Sequence, residues 1–138
     1  VIKDVKDKME KERTTEEFHV HFIGVSAQMH GVCTWNSEDV KANGTAGVAS
    51  SLYTWEYNSY DESTMKKLES KYGDQRPGFG CTTLAALSEE GKLNRKHDRA
   101  GNIGDFFVAV LLRDKNSHKM STQMANSFGF CKGKEWIG

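Results

Sequence analysis

The chain has 138 residues, of which 37% are hydrophobic and 10% aromatic, a composition that suits one domain with a compact core and excludes a disordered chain. Nineteen basic residues balance nineteen acidic ones, so no global field draws the molecule onto nucleic acid or an anionic membrane. One proline and no run near the about 18 apolar residues of a membrane helix exclude a proline-rich linker and predict no membrane span.

Residues 1–17 are mostly charged, with Ile2, Val5 and Met9 on a thin i, i+3, i+7 stripe. They predict a charged N-terminal helix ahead of a single domain over 18–138. In 18–25, Phe18, Val20 and Phe22 alternate with His19, His21 and Ile23 at the period of a strand. A helix is the rival there, because Thr14 to Glu17 has capping-box spacing. A short strand is expected over 31–36 and a polar turn over 38–44. The alternation over 48–57 predicts a long strand that puts Tyr53, Trp55 and Tyr57 on one face and Leu52, Thr54 and Glu56 on the other. The clearest helix follows, with Asp61 as its N-cap, Met65, Leu68 and Tyr72 at helical spacing, and Gly73 as its stop.

Residues 74–80, with Pro77 and two glycines, read as a loop, and 81–87 as either a helix or part of a hairpin. A basic loop is expected over 94–104. Residues 105–113 are apolar at both odd and even positions, which predicts a strand at the centre of a sheet. Met120, Thr122, Met124, Phe128 and Phe130 keep a two-residue period and complete a hairpin with it. The expected fold class is α+β, a mostly antiparallel sheet of five or six strands with one or two helices packed on it.

Charge is unevenly distributed. Residues 92–134 hold nine Lys/Arg against three Asp/Glu, and 35–90 hold five against nine, so a basic side and an acidic side are expected. Lys92, Arg95, Lys96, His97 and Arg99 concentrate cations in one connection able to grip an acidic surface or a phosphate, and they are the candidate partner-binding residues. No aromatic interleaves them to stack a base. His19 and His21, on one face of a strand, are a weak candidate metal pair, with His30, His97 or His118 as candidate third ligands that the sequence does not place beside them. The Tyr53, Trp55 and Tyr57 stripe reads as core packing, with a sugar-binding platform as the functional alternative.

Cys33, Cys81 and Cys131 lie far apart with no CxxC pair, which permits one disulfide in any of three pairings. Cys33, three residues from His30, reads as a buried or bonded cysteine rather than a nucleophile. Asn43-Gly44-Thr45 is a glycosylation sequon that favours a secreted chain over a cytoplasmic one. The start at Val1, with no initiator Met, reads as a processed or trimmed terminus. No nucleotide, metal or hydrolase signature occurs, so no catalytic residue and no cofactor is assigned.

By elimination, the expected function is a small secreted non-catalytic protein that binds another macromolecule, effector-like and associated with virulence. A protein partner is preferred, with nucleic acid or carbohydrate as alternatives and the oligomeric state open. The competing class is a small hydrolase or nuclease in which a histidine and Glu56 move protons while the basic loop holds the substrate.

Overall fold

The computed structural model describes residues 7, 11, 22, 24–43, 49–58, 60–113, 120–129, 131, 132, 135 and 136. The expected 1–17 helix, most of the 18–25 strand and the boundary between 17 and 18 lie outside the described residues. Only Asp7 and Lys11 of the first segment are described, both helical.

β1 (Cys33–Trp35) falls within the predicted 31–36 strand and pairs antiparallel with β2 (Arg99–Gly101), in the register Cys33 to Gly101, Thr34 to Ala100 and Trp35 to Arg99. Its flanks also reach 49–53: Val32 bridges Tyr53 and Trp35 bridges Ala49. Thr34 fixes that side, donating its N–H to Ser50 Oγ at 3.0 Å and accepting from Ser50 N–H at 2.8 Å. The long strand expected over 48–57 is therefore reduced to two isolated bridges, and the chain turns at Trp55 and Glu56.

Residues 38–44, expected as a turn, fall mostly in α1 (Ser37–Asn43). Asn36 starts the helix, its Oδ1 accepting from the N–H groups of Glu38 and Asp39 at 2.9 and 3.1 Å. Glu38 and Asp39 in the first turn and Lys41 in the last suit the helix dipole, and Val40 is buried. Polarity read alone had suggested a turn.

α2 (Glu62–Tyr72) forms where its caps predict. Asp61 Oδ1 accepts from Thr64 N–H at 2.8 Å, and Gly73, at φ +80°, donates its N–H to Glu69 O at 2.9 Å. Leu68 is fully buried and Met65 half-buried, but Tyr72 is 48% exposed. α3 (Gly80–Glu89) settles the ambiguous 81–87 segment as helix and packs against α2. Tyr60, Leu68 and Ala86 form one core, with Tyr57, Met65 and Ala85 around it.

The largest departure is 105–113, which lies not in a central strand but in α4 (Ile103–Leu112) and its cap. The deciding residues precede the apolar run. Asn102 Oδ1 accepts from Gly104 N–H and Asp105 N–H at 2.8 and 3.0 Å, while Asp105 Oδ2 accepts from Asn102 N–H at 3.0 Å, a reciprocal capping box. Phe106 and Ala109 then face inward at helical spacing and join Cys33, Trp35 and Val40 in the second core. Phe107, Leu111 and Leu112 stay 41%, 43% and 58% exposed, so the second apolar face is an open helix face and not the far side of a sheet.

The expected closing strand over 120–130 is replaced by α5 (Thr122–Phe128), capped by Ser121 Oγ on Met124 N–H at 3.1 Å and stopped by Gly129. Ala125 and Phe128 are buried at i, i+3, a helical spacing hidden beneath the two-residue pattern. A small antiparallel pair follows, β3 (Cys131–Lys132) with β4 (Glu135–Trp136).

Five helices and two two-stranded pairs are thus defined among the described residues. That helix-rich arrangement corrects the α+β expectation of a five- or six-stranded sheet. The expected disulfide is corrected too: Cys33 and Cys81 are both free thiols. No helix among the described residues is long and apolar enough to cross a membrane.

Candidate functional site

Three turns meet beside β1. Gly31, at φ +98°, lets its backbone lie on the 53–54 peptide, where a methyl group would sit 2.8 Å from the Tyr53 carbonyl oxygen and 3.2 Å from Thr54 Cα. Gly78, at φ +83°, makes a second close approach, with a methyl group there 2.5 Å from the Trp55 carbonyl oxygen. The Tyr60 hydroxyl holds the 77–78 turn by accepting from Gly78 N–H at 3.1 Å. These backbone contacts bring the turns that bear His30, Trp55 and Phe79 together.

His30 is half-buried, stacked on Phe79 with ring centroids 5.4 Å apart and planes 24° from parallel. Its Nδ1 lies 3.0 Å from the carbonyl oxygen of Ser127, near the end of α5. A carbonyl only accepts, so Nδ1 carries the hydrogen, and Nε2 of the neutral ring is left as a hydrogen-bond acceptor. Ser127 is itself held, donating its hydroxyl to Gln123 O at 3.0 Å and lying 3.9 Å from Met29 Sδ. A fixed imidazole with an acceptor nitrogen can hold a hydroxyl group or take its proton.

The aromatic stripe divides. Tyr53 and Tyr57 meet edge to face at 4.9 Å, and Tyr57 meets Tyr60 at 6.2 Å, a chain of rings leading into the α2–α3 core. Trp55 instead stands 56% exposed. Packing thus claims two of the three rings and leaves the indole available. Glu56 is exposed in the same turn, and no hydrogen bond among the described residues joins it to a histidine.

The basic segment is not one free loop. Lys92 pairs with Glu90 at 2.8 Å, which raises its pKa above the ordinary lysine range. Arg95 and Lys96 are exposed, His97 turns inward to Thr34, and Arg99 is half-buried within β2 beside Asp98 at 3.3 Å. The segment is pinned to β1 and α1: Asn36 Nδ2 donates to Lys96 O at 2.6 Å, and Asp98 N–H to Trp35 O at 3.1 Å. Asp98 also accepts from Ser37 N–H and Ser37 Oγ at 2.8 and 2.6 Å. Burial works to raise the Asp98 carboxyl, but the Ser37 hydrogen bonds and the Arg99 charge outweigh it and hold it below the ordinary range.

His19 and His21 lie outside the described residues, and no group of three metal-ligating side chains occurs among the described ones. Burial pushes the Cys33 thiol up to about 11, with the Asp105 carboxylate adding to it, and pushes Cys81 up to about 12, so neither is an activated nucleophile. The sequence offers His30 only as a possible third metal ligand beside His19 and His21 and as a neighbour of Cys33, and does not single out Phe79. The available signals were the glycines on either side, Gly31 after His30 and Gly78 before Phe79, which mark close backbone approaches.

No family model matches the chain, and no solved structure matches it. Among curated proteins it is similar to sedoheptulokinase of Mus musculus, 32% identical over 122 residues, covering 80% of this chain and 25% of that protein. It is also similar to sedoheptulokinase of Homo sapiens, 30% identical over 119 residues, covering 78% of this chain and 25% of the human protein. Likeness to a sugar kinase overturns the effector and virulence reading of the sequence. The chain spans about a quarter of the length of the curated relatives it matches.

Proposed function

We propose that this chain supplies part of the sugar-holding surface of a ketose kinase, an enzyme that transfers a phosphoryl group from a nucleoside triphosphate to a sugar hydroxyl. The observation that carries the reading is the close approach of the turns that bear a tethered imidazole and an exposed indole, in a chain whose sequence resembles two sedoheptulokinases. An indole face covers the apolar C–H side of a sugar, and His30 Nε2 accepts from one of its hydroxyls. A fixed acceptor of this kind favours a ligand with a hydroxyl because an analogue lacking it leaves the nitrogen unpaired. Phosphoryl transfer depends on positioning and on charge stabilisation around the phosphates. The residues discussed above account for the positioning of the sugar alone.

Titration calorimetry with sedoheptulose, a seven-carbon ketose, tests the reading. Saturable binding is expected, weakened about tenfold by His30→Ala or by Trp55→Ala, since each removes about 1.4 kcal/mol of contact. Glu62→Gln, exposed in the first turn of α2 and paired with Lys66, serves as the control and leaves binding unchanged. Absence of binding, or equal binding by all variants, overturns the proposal.

Recognition of an acidic macromolecule by the basic segment is a second reading, favoured by the outward placement of Arg95 and Lys96. Charge reversal at both positions distinguishes it: it abolishes such binding and leaves sedoheptulose affinity intact.

A further inference from the structure

The basic segment contains a hydrogen-bond network that fixes the protonation of one histidine. Lys96 N–H donates to Asn94 Oδ1 at 3.0 Å, and a backbone N–H has no other role, so the amide of Asn94 is oriented with Nδ2 on the opposite side. That Nδ2 lies 3.1 Å from His97 Nε2. An amide NH2 only donates, so Nε2 must be the acceptor, bare of hydrogen. The single ring proton then sits on Nδ1 and is directed to Thr34 Oγ1, 2.7 Å away on β1. His97 N–H closes the turn on Asn94 O at 2.9 Å.

We propose that Asn94 and His97 form a pH-sensitive latch on the 92–96 segment, closed with His97 neutral in the Nδ1–H form and opened when the ring takes a second proton. A protonated Nε2 faces the Asn94 NH2 donor to donor. Relief requires the Asn94 amide to turn over, and that rotation withdraws Oδ1 from Lys96 N–H. Lys96 N–H therefore loses its acceptor, while Asn36 Nδ2 still holds Lys96 O and Asp98, bonded separately to Ser37 and Trp35, holds the next residues on the sheet.

The groups on β1 and at the start of α1 that bond this segment, Thr34, Asn36 and Ser37, are uncharged. The charges flanking His97 are on its own segment. Arg95 and Lys96 project into solvent, and the Asp98 carboxylate is engaged by Ser37 and Arg99. Acidification thus opens the Asn94 turn around Arg95 and the Lys96 amide without unfolding β2 and without releasing Lys96 O from Asn36. The latch is independent of the sugar-site reading, since it involves neither His30 nor Trp55.

Nitrogen NMR of the full chain tests it. At neutral pH the His97 ring is expected with hydrogen on Nδ1, the opposite of the Nε2–H form that free imidazole side chains favour, and an Nε2–H ring overturns the proposal. Between about pH 8 and about pH 5, the Lys96 amide is expected to lose roughly tenfold in exchange protection after correction for intrinsic rate. Unchanged protection overturns it. Asn94→Asp supplies a carboxylate that accepts from both Lys96 N–H and a protonated His97, so the loss on acidification should disappear in that variant. Persistence of the same loss in Asn94→Asp also overturns the latch.

Discussion

The core around Leu68 gathers its residues from 57–86, two helices adjacent in sequence, whereas the core around Trp35 joins β1 and α1 to α4 across most of the chain. Their fastenings differ as well. α2 and α3 are joined at the surface by Lys67 and Lys71, each 2.7 Å from Glu89. The Trp35 core is closed by part-buried bonds: Ser37, itself buried, to Asp98, and the buried Asn102 with Asp105. The contrast teaches that the local unit tolerates loss of its polar ties, while the long-range unit depends on them to bring distant segments together.

Trp35→Ala is the most severe way to test that contrast. Trp35 is 1% exposed and packs on Phe106 at 5.4 Å, so truncation leaves a cavity at the junction of all the distant elements. A loss of about 3–5 kcal/mol in urea unfolding is expected. Gly78→Ala strikes between the cores, because the new methyl group meets the Trp55 carbonyl in a left-handed conformation. It should cost about 1–3 kcal/mol by thermal unfolding and also weaken sedoheptulose binding by displacing Trp55.

The two helix caps offer a finer comparison. Asn102→Ala removes a fully buried cap and is expected to cost about 1–2 kcal/mol, while Asp61→Ala removes an exposed one and should cost about 0.5–1 kcal/mol. Asn102→Ser keeps an acceptor and deletes Nδ2, which has no partner among the described residues, so it should lose less than the alanine variant. Equal effects at the two caps would remove the distinction between the units.

The smallest effect belongs to the surface clamp. Hydrogen bonds from Lys67 and Lys71 lower the Glu89 carboxyl to about 2 from its ordinary 4.5. A carboxyl lowered in the folded state stabilises above its unfolded pKa and loses that contribution as pH falls through the folded value. The α2–α3 contribution should therefore fade between about pH 4.5 and about pH 2, and Glu89→Gln should abolish that fading. Because the lysines are exposed, the effect should be small and should shrink further at high salt. It is read as the difference in melting temperature between the two proteins across that range.

The same contrast explains what the sequence made legible. α2 was read correctly because Asp61, Leu68 and Gly73 state its start, its buried face and its end within one segment. α4 was misread because ten consecutive mostly apolar residues carry no clear period, and the disambiguating pair, Asn102 and Asp105, had been assigned to a loop and to a strand start. α5 was misread for a related reason: Met120, Met124 and Phe128 fit two periods, and only Ser121 and Gly129 select the helical one. At the site, Trp55 was legible as part of an aromatic stripe. The sequence offers His30 only as a metal ligand or a neighbour of Cys33, since its tether is Ser127, a residue that only the tertiary fold brings near.

The central claim is that the neighbourhood of His30, Phe79 and Trp55 holds a sugar. Its most direct test is an NMR titration of the chain with sedoheptulose, following every assigned amide and ring signal. The account predicts saturable shifts clustered at His30 Nε2, the Trp55 indole and the Phe79 ring, with the Lys67, Lys71 and Glu89 surface unmoved. Shifts confined to that surface or to the Arg95 and Lys96 segment, or no shifts at all, would contradict it.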